Sequence, residues 1–206
     1  MNYIFHSFRH GKEIFETQSG FSRLWLEVID VLDSISDDDI ILSFETQHRK
    51  GKSISEAINK LIDERLVLKG WNRQSPIFKE SAQEIQNHNT WTLDFAKEKI
   101  AIEVAFNHGG NVSWNLIKPV LSGELNHVDK AIQTQAGIII AATNEMKVAG
   151  GYDSAVGSYE KYVEYLKPLR NLLTVPMVII GLKAPETFYI SQIKMDNKKV
   201  GSIVKK

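Results

Sequence analysis

Polar and apolar positions alternate without a break over residues 99–106. Ile100, Ile102, Val104 and Phe106 fall on one side, and Lys99, Ala101, Glu103 and Ala105 on the other. Successive strand side chains point to opposite faces, so this period of two predicts a strand with one apolar face. Ala96-Lys97-Glu98 is short enough to be a hairpin turn, which lays a second strand, over residues 90–95, against the first. Asp94 then stands across from residues 101–103. Upstream the period changes: Phe21, Leu24, Trp25, Val28, Ile29, Leu32 and Ile35 recur at helical spacing and predict an amphipathic helix over residues 21–35. A second helix is predicted over residues 53–69, with Ser53 as N-cap, Glu56 at the capping-box position and Gly70 where a helix-ending glycine belongs. Residues 72–90 are polar, contain Pro76 and read as a long loop.

Beyond Gly109-Gly110, residues 113–121 predict a helix that runs on past Gly123, with Pro119 counting against its continuity. Residues 137–142 and 176–182 are uninterrupted apolar runs, the mark of central strands covered on both faces. Residues 158–172 between them read as helix. Strands separated by helices predict an α/β sandwich, a mixed central sheet flanked by helices on both faces. The whole chain, residues 1–206, is expected to form one domain.

Composition narrows the chemistry. The chain has no cysteine, which excludes disulfides, thiolate metal sites and cysteine nucleophiles and agrees with a reducing cytoplasm, the expected location. It has no apolar run of about 18 residues. Its 25 Lys and Arg balance 25 Asp and Glu, so no whole-chain field attracts a polyanion. Basic residues do gather locally, over residues 47–52 and 69–73.

Asp94 and Glu103 are the pair to explain, because an unpaired carboxylate in a buried strand is costly and usually finds a cation or a proton. Carboxylates from adjacent strands can converge on one Mg²⁺, a hard ion that takes oxygen ligands and keeps several waters. The Val104 carbonyl is a further candidate ligand, since a strand carbonyl becomes available where pairing lapses. Spacing alone is equally compatible with Asp94 starting a turn and Glu103 pointing to solvent. His6 and His10 share a helical spacing without a third ligand, and the glycines form no phosphate-binding signature.

Asp94-Phe95, the segment Ile102-Glu103-Val104 and the aromatic Phe106 resemble the core of the PD-(D/E)xK nucleases. More narrowly, the chain resembles the BglII/BstYI group of type II restriction endonucleases, with BamHI more distant. The likeness extends through the strand at residues 137–143, the segment 152–162 and residues 175–185, and back to residues 51–71. It implies the restriction-endonuclease sandwich and Mg²⁺-dependent hydrolysis of phosphodiesters in double-stranded DNA at a palindromic site, by a homodimer formed through the helices near residues 113–125 and 158–172.

Carried over by position, Asp94 and Glu103 are the metal-binding carboxylates, and Ala105 falls at the third catalytic position. The BglII/BstYI group carries Gln there, BamHI Glu and the superfamily at large Lys. Alanine cannot orient or deprotonate a water, and loss of such a group lowers rates roughly 10²- to 10⁴-fold. Two explanations stand open: an inactivated variant, or a natural chain that recruits its third group from elsewhere or no longer cuts. Gln74 falls near a further polar position of the family. Base reading is implied for Asn107, His108, Asp153 and Ser154, and phosphate contact is expected from Arg49, Lys50, Lys52, Asn72 and Arg73. The alternatives are a sequence-specific DNA-binding protein that has lost catalysis, and a metal-dependent hydrolase of small phosphate esters.

Overall fold

The computed structural model describes residues 1–47, 51–79, 91–124, 127–195 and 198–206. The alternating segment forms β4 (Ile100–Val104), and β3 (Thr92–Lys97) precedes it. They pair antiparallel, Phe95 opposite Ile102 and Lys97 opposite Ile100. The turn is Glu98-Lys99, shorter than expected, and Glu98 takes the positive φ (47°) that a tight hairpin requires. The two apolar runs become β5 (Ala136–Ala142), parallel to β4, and β6 (Met177–Leu182), parallel to β5; both are buried along their whole length.

Two strands that the pattern did not announce complete the sheet: β1 (Tyr3–Phe8), antiparallel to β6, and β2 (Asn72–Pro76), antiparallel to β3. The order among the described residues is β1-β6-β5-β4-β3-β2, the mixed sheet that was expected. The loop expected over residues 72–90 is thus corrected at its start, and Pro76 is tolerated because an edge strand has one unpaired side. Residues 80–90 of that segment lie outside the described residues.

Helices cover both faces. On one lie α1 (Gly11–Thr17), α2 (Ser19–Ser34), α3 (Asp37–Glu45) and α4 (Ser55–Leu68). The predicted stripe Phe21, Leu24, Trp25, Val28 and Leu32 joins Ile58, Ile62 and Leu66 of α4 and the apolar face of β4 in one core. The capping box at Ser53 does not form. α4 begins at Ser55, and the Ser53 hydroxyl is bonded instead to that of Ser55 (2.8 Å). Gly70, at φ 79°, closes the helix, its N–H donating to the Val67 carbonyl and that of Trp71 to Leu66.

The opposite face carries α5 (Val112–Gly123), and after α6 (Asn144–Ala149) the chain forms α7 (Tyr159–Leu166), which ends short of the residue 172 expected. Pro119 does not break α5. Its ring sits on the bare Cα of Gly137, where a Cβ would meet Pro119 Cβ at 2.7 Å. A hairpin of β7 (Phe188–Met195) and β8 (Lys198–Lys205) follows the sheet and sends Phe188 and Ile190 into the first core. Among the described residues no helix is long and apolar enough to cross a membrane.

Candidate active site

β3 and β4 stop pairing where they reach the two carboxylates. Continued one residue past Phe95 and Ile102, their register sets Asp94 opposite Glu103. Side chains take over the ladder there: the Val104 N–H donates to Asp94 Oδ2 (2.8 Å), and the Asp94 N–H to Glu103 Oε1 (3.3 Å). Each carboxylate is therefore oriented by the opposite strand's backbone. The Val104 carbonyl accepts from the Phe106 N–H (3.2 Å), which leaves one of its two lone pairs for another partner. On the far side of β3, Gln74 sits between the pairs Arg73–Phe95 and Ser75–Leu93, exposed and at φ 48°, and so stands at the level of Asp94. Ala105 brings no polar atom. It is fully buried beside Val112, Leu116 and Tyr162, with its N–H donating to the Ile140 carbonyl (2.7 Å).

One polar group went unread in the sequence. Lys118 of α5, 8% exposed, forms an ion pair with Glu103 Oε2 and donates to the Thr92 carbonyl (3.1 Å). Its signal was positional: it lies within the buried stripe of Val112, Asn115, Leu116, Pro119 and Ser122, where a lysine requires a partner. Burial first, and then the charge of Asp94, push the Glu103 carboxyl up to about 8 against the pull of Lys118. Burial also raises Asp94, opposed by Lys118 and by the Val104 N–H.

With both carboxyls ionised, two carboxylates facing one ammonium form a site with surplus negative charge in a low dielectric, which a divalent cation would neutralise. Among the described residues no group of three or more His, Asp or Glu side chains assembles. Two carboxylates and a main-chain carbonyl suit an ion that retains several waters.

The residues expected to read DNA are brought together at the end of β4. The Gly109 N–H donates to the Ala155 carbonyl (2.7 Å) and the Gly157 N–H to the Asn107 carbonyl (3.0 Å), zipping the segment after β4 to residues 153–157. Lys147 Nζ donates to the carbonyls of Ser154 (3.1 Å) and Val156 (2.5 Å). Lys52 pairs with Asp153 (2.9 Å), and this contact, with the Ala155 N–H, holds the Asp153 carboxyl down at about 2. Asn107 Oδ1 accepts from Asn115 Nδ2 (3.1 Å), which also donates to the buried Tyr162 hydroxyl (2.6 Å). A cleft of about 300 Å³ opens beside them, lined by Ser55, Glu56, Asn59, Val104, Phe106 and Asn107; Glu56, expected in a helix cap, faces it instead.

Asn72 and Arg73 lie away from this group on β2, both exposed, with Arg73 paired to Asp63 (3.1 Å). Arg49 and Lys50 lie outside the described residues.

Residues 3–182 match the sequence family described as restriction endonuclease BglII/BglIII. Similar solved structures include restriction endonuclease BglII complexed with a DNA 16-mer, at 19% identity and a TM-score of 0.68, and free BglII, at 18% and 0.59, each covering 100% of both chains. At such identities the likeness establishes the fold, which is that of BglII. No curated protein sequence matches the chain.

Proposed function

Because the chain belongs to the BglII/BglIII family of restriction endonucleases, site-specific deoxyribonucleases that generally use a divalent metal, we propose that Asp94 and Glu103 hold Mg²⁺ for cleavage of duplex DNA at a palindromic site. The observation that carries this reading is the broken ladder, in which both carboxylates are aimed by backbone N–H groups and share too little positive charge. The Val104 carbonyl is the further ligand. Mg²⁺ held there would polarise a phosphoryl oxygen and ease deprotonation of the attacking water.

The chain's own residues do the rest. Asp94 and Glu103 would hold the cation beside the reacting phosphate, and α5 closes one side against bulk solvent. Asn107, His108, Asp153 and Ser154 present donors and acceptors to base edges in the major groove. Lys52, Asn72 and Arg73, with Arg49 and Lys50, hold phosphates and set register. A palindromic target is matched by a protein two-fold, so the working form is a homodimer, joined through the faces of α5 and α7.

Incubation with plasmid DNA and Mg²⁺, followed by sequencing of fragment ends, tests the reading. Discrete ends at one repeated sequence are expected, with Asp94→Asn and Glu103→Gln inactive; random ends or none would reject it. The enclosed, apolar setting of Ala105 favours one other reading, sequence-specific binding without cleavage. Salt-sensitive retention of duplex DNA, with no cutting under any divalent ion, would select that one.

A further inference from the structure

Resting on the assignment of Asp94 and Glu103 as metal-holding carboxylates, we propose that Lys118 is the third catalytic group of this site, supplied by helix α5 in place of the strand position that Ala105 occupies. If the register of β3 and β4 is continued past its break, Thr92 comes opposite Ala105. Lys118 Nζ lies between the Thr92 carbonyl and Glu103 Oε2. The ammonium therefore stands on the face shared by Glu103 and Ala105, at the level a long side chain from position 105 would reach.

The helix does not need this lysine to be anchored. Leu116 and Val112 pack into an apolar cluster, and Asn115 is bonded to Tyr162 (2.6 Å). The Ser122 hydroxyl accepts from Thr134 (2.9 Å), and Lys130 donates to the Leu121 carbonyl (2.5 Å) and to that of Glu124. Pro119, seated on Gly137, fixes how closely the backbone beside Lys118 approaches the sheet. Other nearby cations are engaged elsewhere: Lys97 with Glu27 (2.8 Å) and the Lys69 carbonyl (2.5 Å), and Lys130 as above. Among the described residues Lys118 alone pairs with this carboxylate pair.

Asp94 and Glu103 would hold the cation, which would compete with the ammonium for Glu103, while the Thr92 carbonyl keeps the Lys118 side chain in place. The remaining N–H bonds of Lys118 then donate to a non-bridging oxygen of the phosphate. The water oxygen bonds to phosphorus as the bond from phosphorus to the leaving deoxyribose oxygen breaks; the water loses a proton to solvent, and the leaving oxygen gains one. The Lys118 ammonium offsets the charge that gathers on the phosphoryl oxygens, a contribution worth on the order of 10²- to 10³-fold in rate when one such donor is removed.

Lys118→Met and Lys118→Arg in the full chain test this, with Ca²⁺ binding measured by calorimetry and Mg²⁺-dependent cleavage measured at the site the parent cuts. Removing the ammonium removes a competitor for Glu103, so Lys118→Met should bind Ca²⁺ as tightly as the parent or more tightly while cutting on the order of 100-fold more slowly. Lys118→Arg keeps the charge beside Glu103 and should cut at a rate between the other two. Cleavage by Lys118→Met within about threefold of the parent overturns the proposal, as does parallel loss of Ca²⁺ binding and cleavage, which marks a structural ion pair. If the methionine variant does not fold, an arginine variant that binds Ca²⁺ normally but cuts faster than the parent overturns it. A parent that binds Ca²⁺ but cuts no duplex overturns it too, whereas a parent that neither binds nor cuts rejects the metal-site assignment beneath it.

Discussion

Gly137→Ala tests whether the packing of α5 on the sheet sets the geometry of the site. The new Cβ would lie 2.7 Å from Pro119 Cβ and 2.9 Å from its Cγ. Carbon atoms in contact sit roughly 3.5–4.0 Å apart, and neither a proline ring nor a central strand can rotate out of the way, so α5 must retreat by about 1 Å. Overpacking of this kind costs about 1–3 kcal/mol, or roughly 2–4 °C of melting temperature per kcal/mol in a chain of this size. Lys118 precedes Pro119, so the retreat also draws its ammonium away from Glu103 and Thr92. A misplacement of about 1 Å can lower turnover by up to about 10²-fold.

Gly181→Ala is the control, since its Cβ would meet Tyr159 of α7 at 2.6 Å and so disturb a different helix on the same face. Urea titration gives the stability loss of each variant, and cleavage well below the melting temperature gives the rate. Comparable stability losses with a rate defect specific to Gly137→Ala are expected. A Gly137→Ala variant as stable as the parent, or one destabilised but cutting at the parent's rate, would refute the coupling.

Above pH 8, where the Glu103 carboxyl is ionised, Glu103→Gln leaves the Lys118 ammonium buried beside a neutral group and should cost about 3–5 kcal/mol in urea titrations. Adding Lys118→Met should restore more than 1 kcal/mol of that, and losses additive to within about 0.5 kcal/mol would show that the pair does not interact. Divalent binding must expel the proton that Glu103, with its carboxyl near 8, holds at lower pH, so Ca²⁺ affinity should climb from pH 6 to pH 8 with proton release to the buffer; a flat profile contradicts this. Without metal the sign reverses: a carboxyl raised from 4.5 to about 8 contributes stability below its unfolded value and loses it as pH rises through the folded one, so this contribution to the melting temperature should shrink over that interval. Asn115→Leu removes both bonds from its amide, leaves the Tyr162 hydroxyl and the Asn107 amide unpaired, and should cost about 1–3 kcal/mol while loosening base preference in the sequenced ends. Ala105→Gln should overpack by about 1–3 kcal/mol without raising the cleavage rate, and a gain in rate would instead identify the chain as an inactivated variant.

The strand pair and its carboxylates were legible because strand periodicity is strict: a period of two puts Glu103 on one face and Val104 on the other whatever the rest of the fold does. β2 was not legible. Its residues Asn72 to Pro76 are mostly exposed, and what makes them a strand is the hydrogen bonding of β3, which its own side chains do not announce. Ser53 and Glu56 had capping-box spacing, yet the helix starts later and Glu56 turns to a cleft, since spacing does not report where backbone torsions become helical. Lys118 was hidden for a related reason. A lysine within a helical stripe reads as a solvated head with an apolar stem until the topology places two carboxylates across from it. The convergence of Asn107 with Asp153 was foreseen only through family likeness, because loops distant in sequence carry no periodicity that could relate them.

The break in the ladder ties these observations to chemistry. Regular pairing continued past Phe95 and Ile102 would carry the Val104 N–H to a backbone carbonyl of β3 and leave both carboxylates as loose side chains above the sheet. Here the side chains substitute for backbone partners, so the hydrogen bonds that replace the lost rung also aim the carboxylates. Gln74, strained at positive φ on the neighbouring edge strand, lies at the same level, so β3 is irregular on both of its sides there. Such irregularity is expected where a structure stores conformation for function. A site built this way does not depend on which residue follows the second carboxylate on its strand. Position 105 can therefore be an alanine buried under α5, provided that the helix covering it delivers charge to the place the strand no longer reaches.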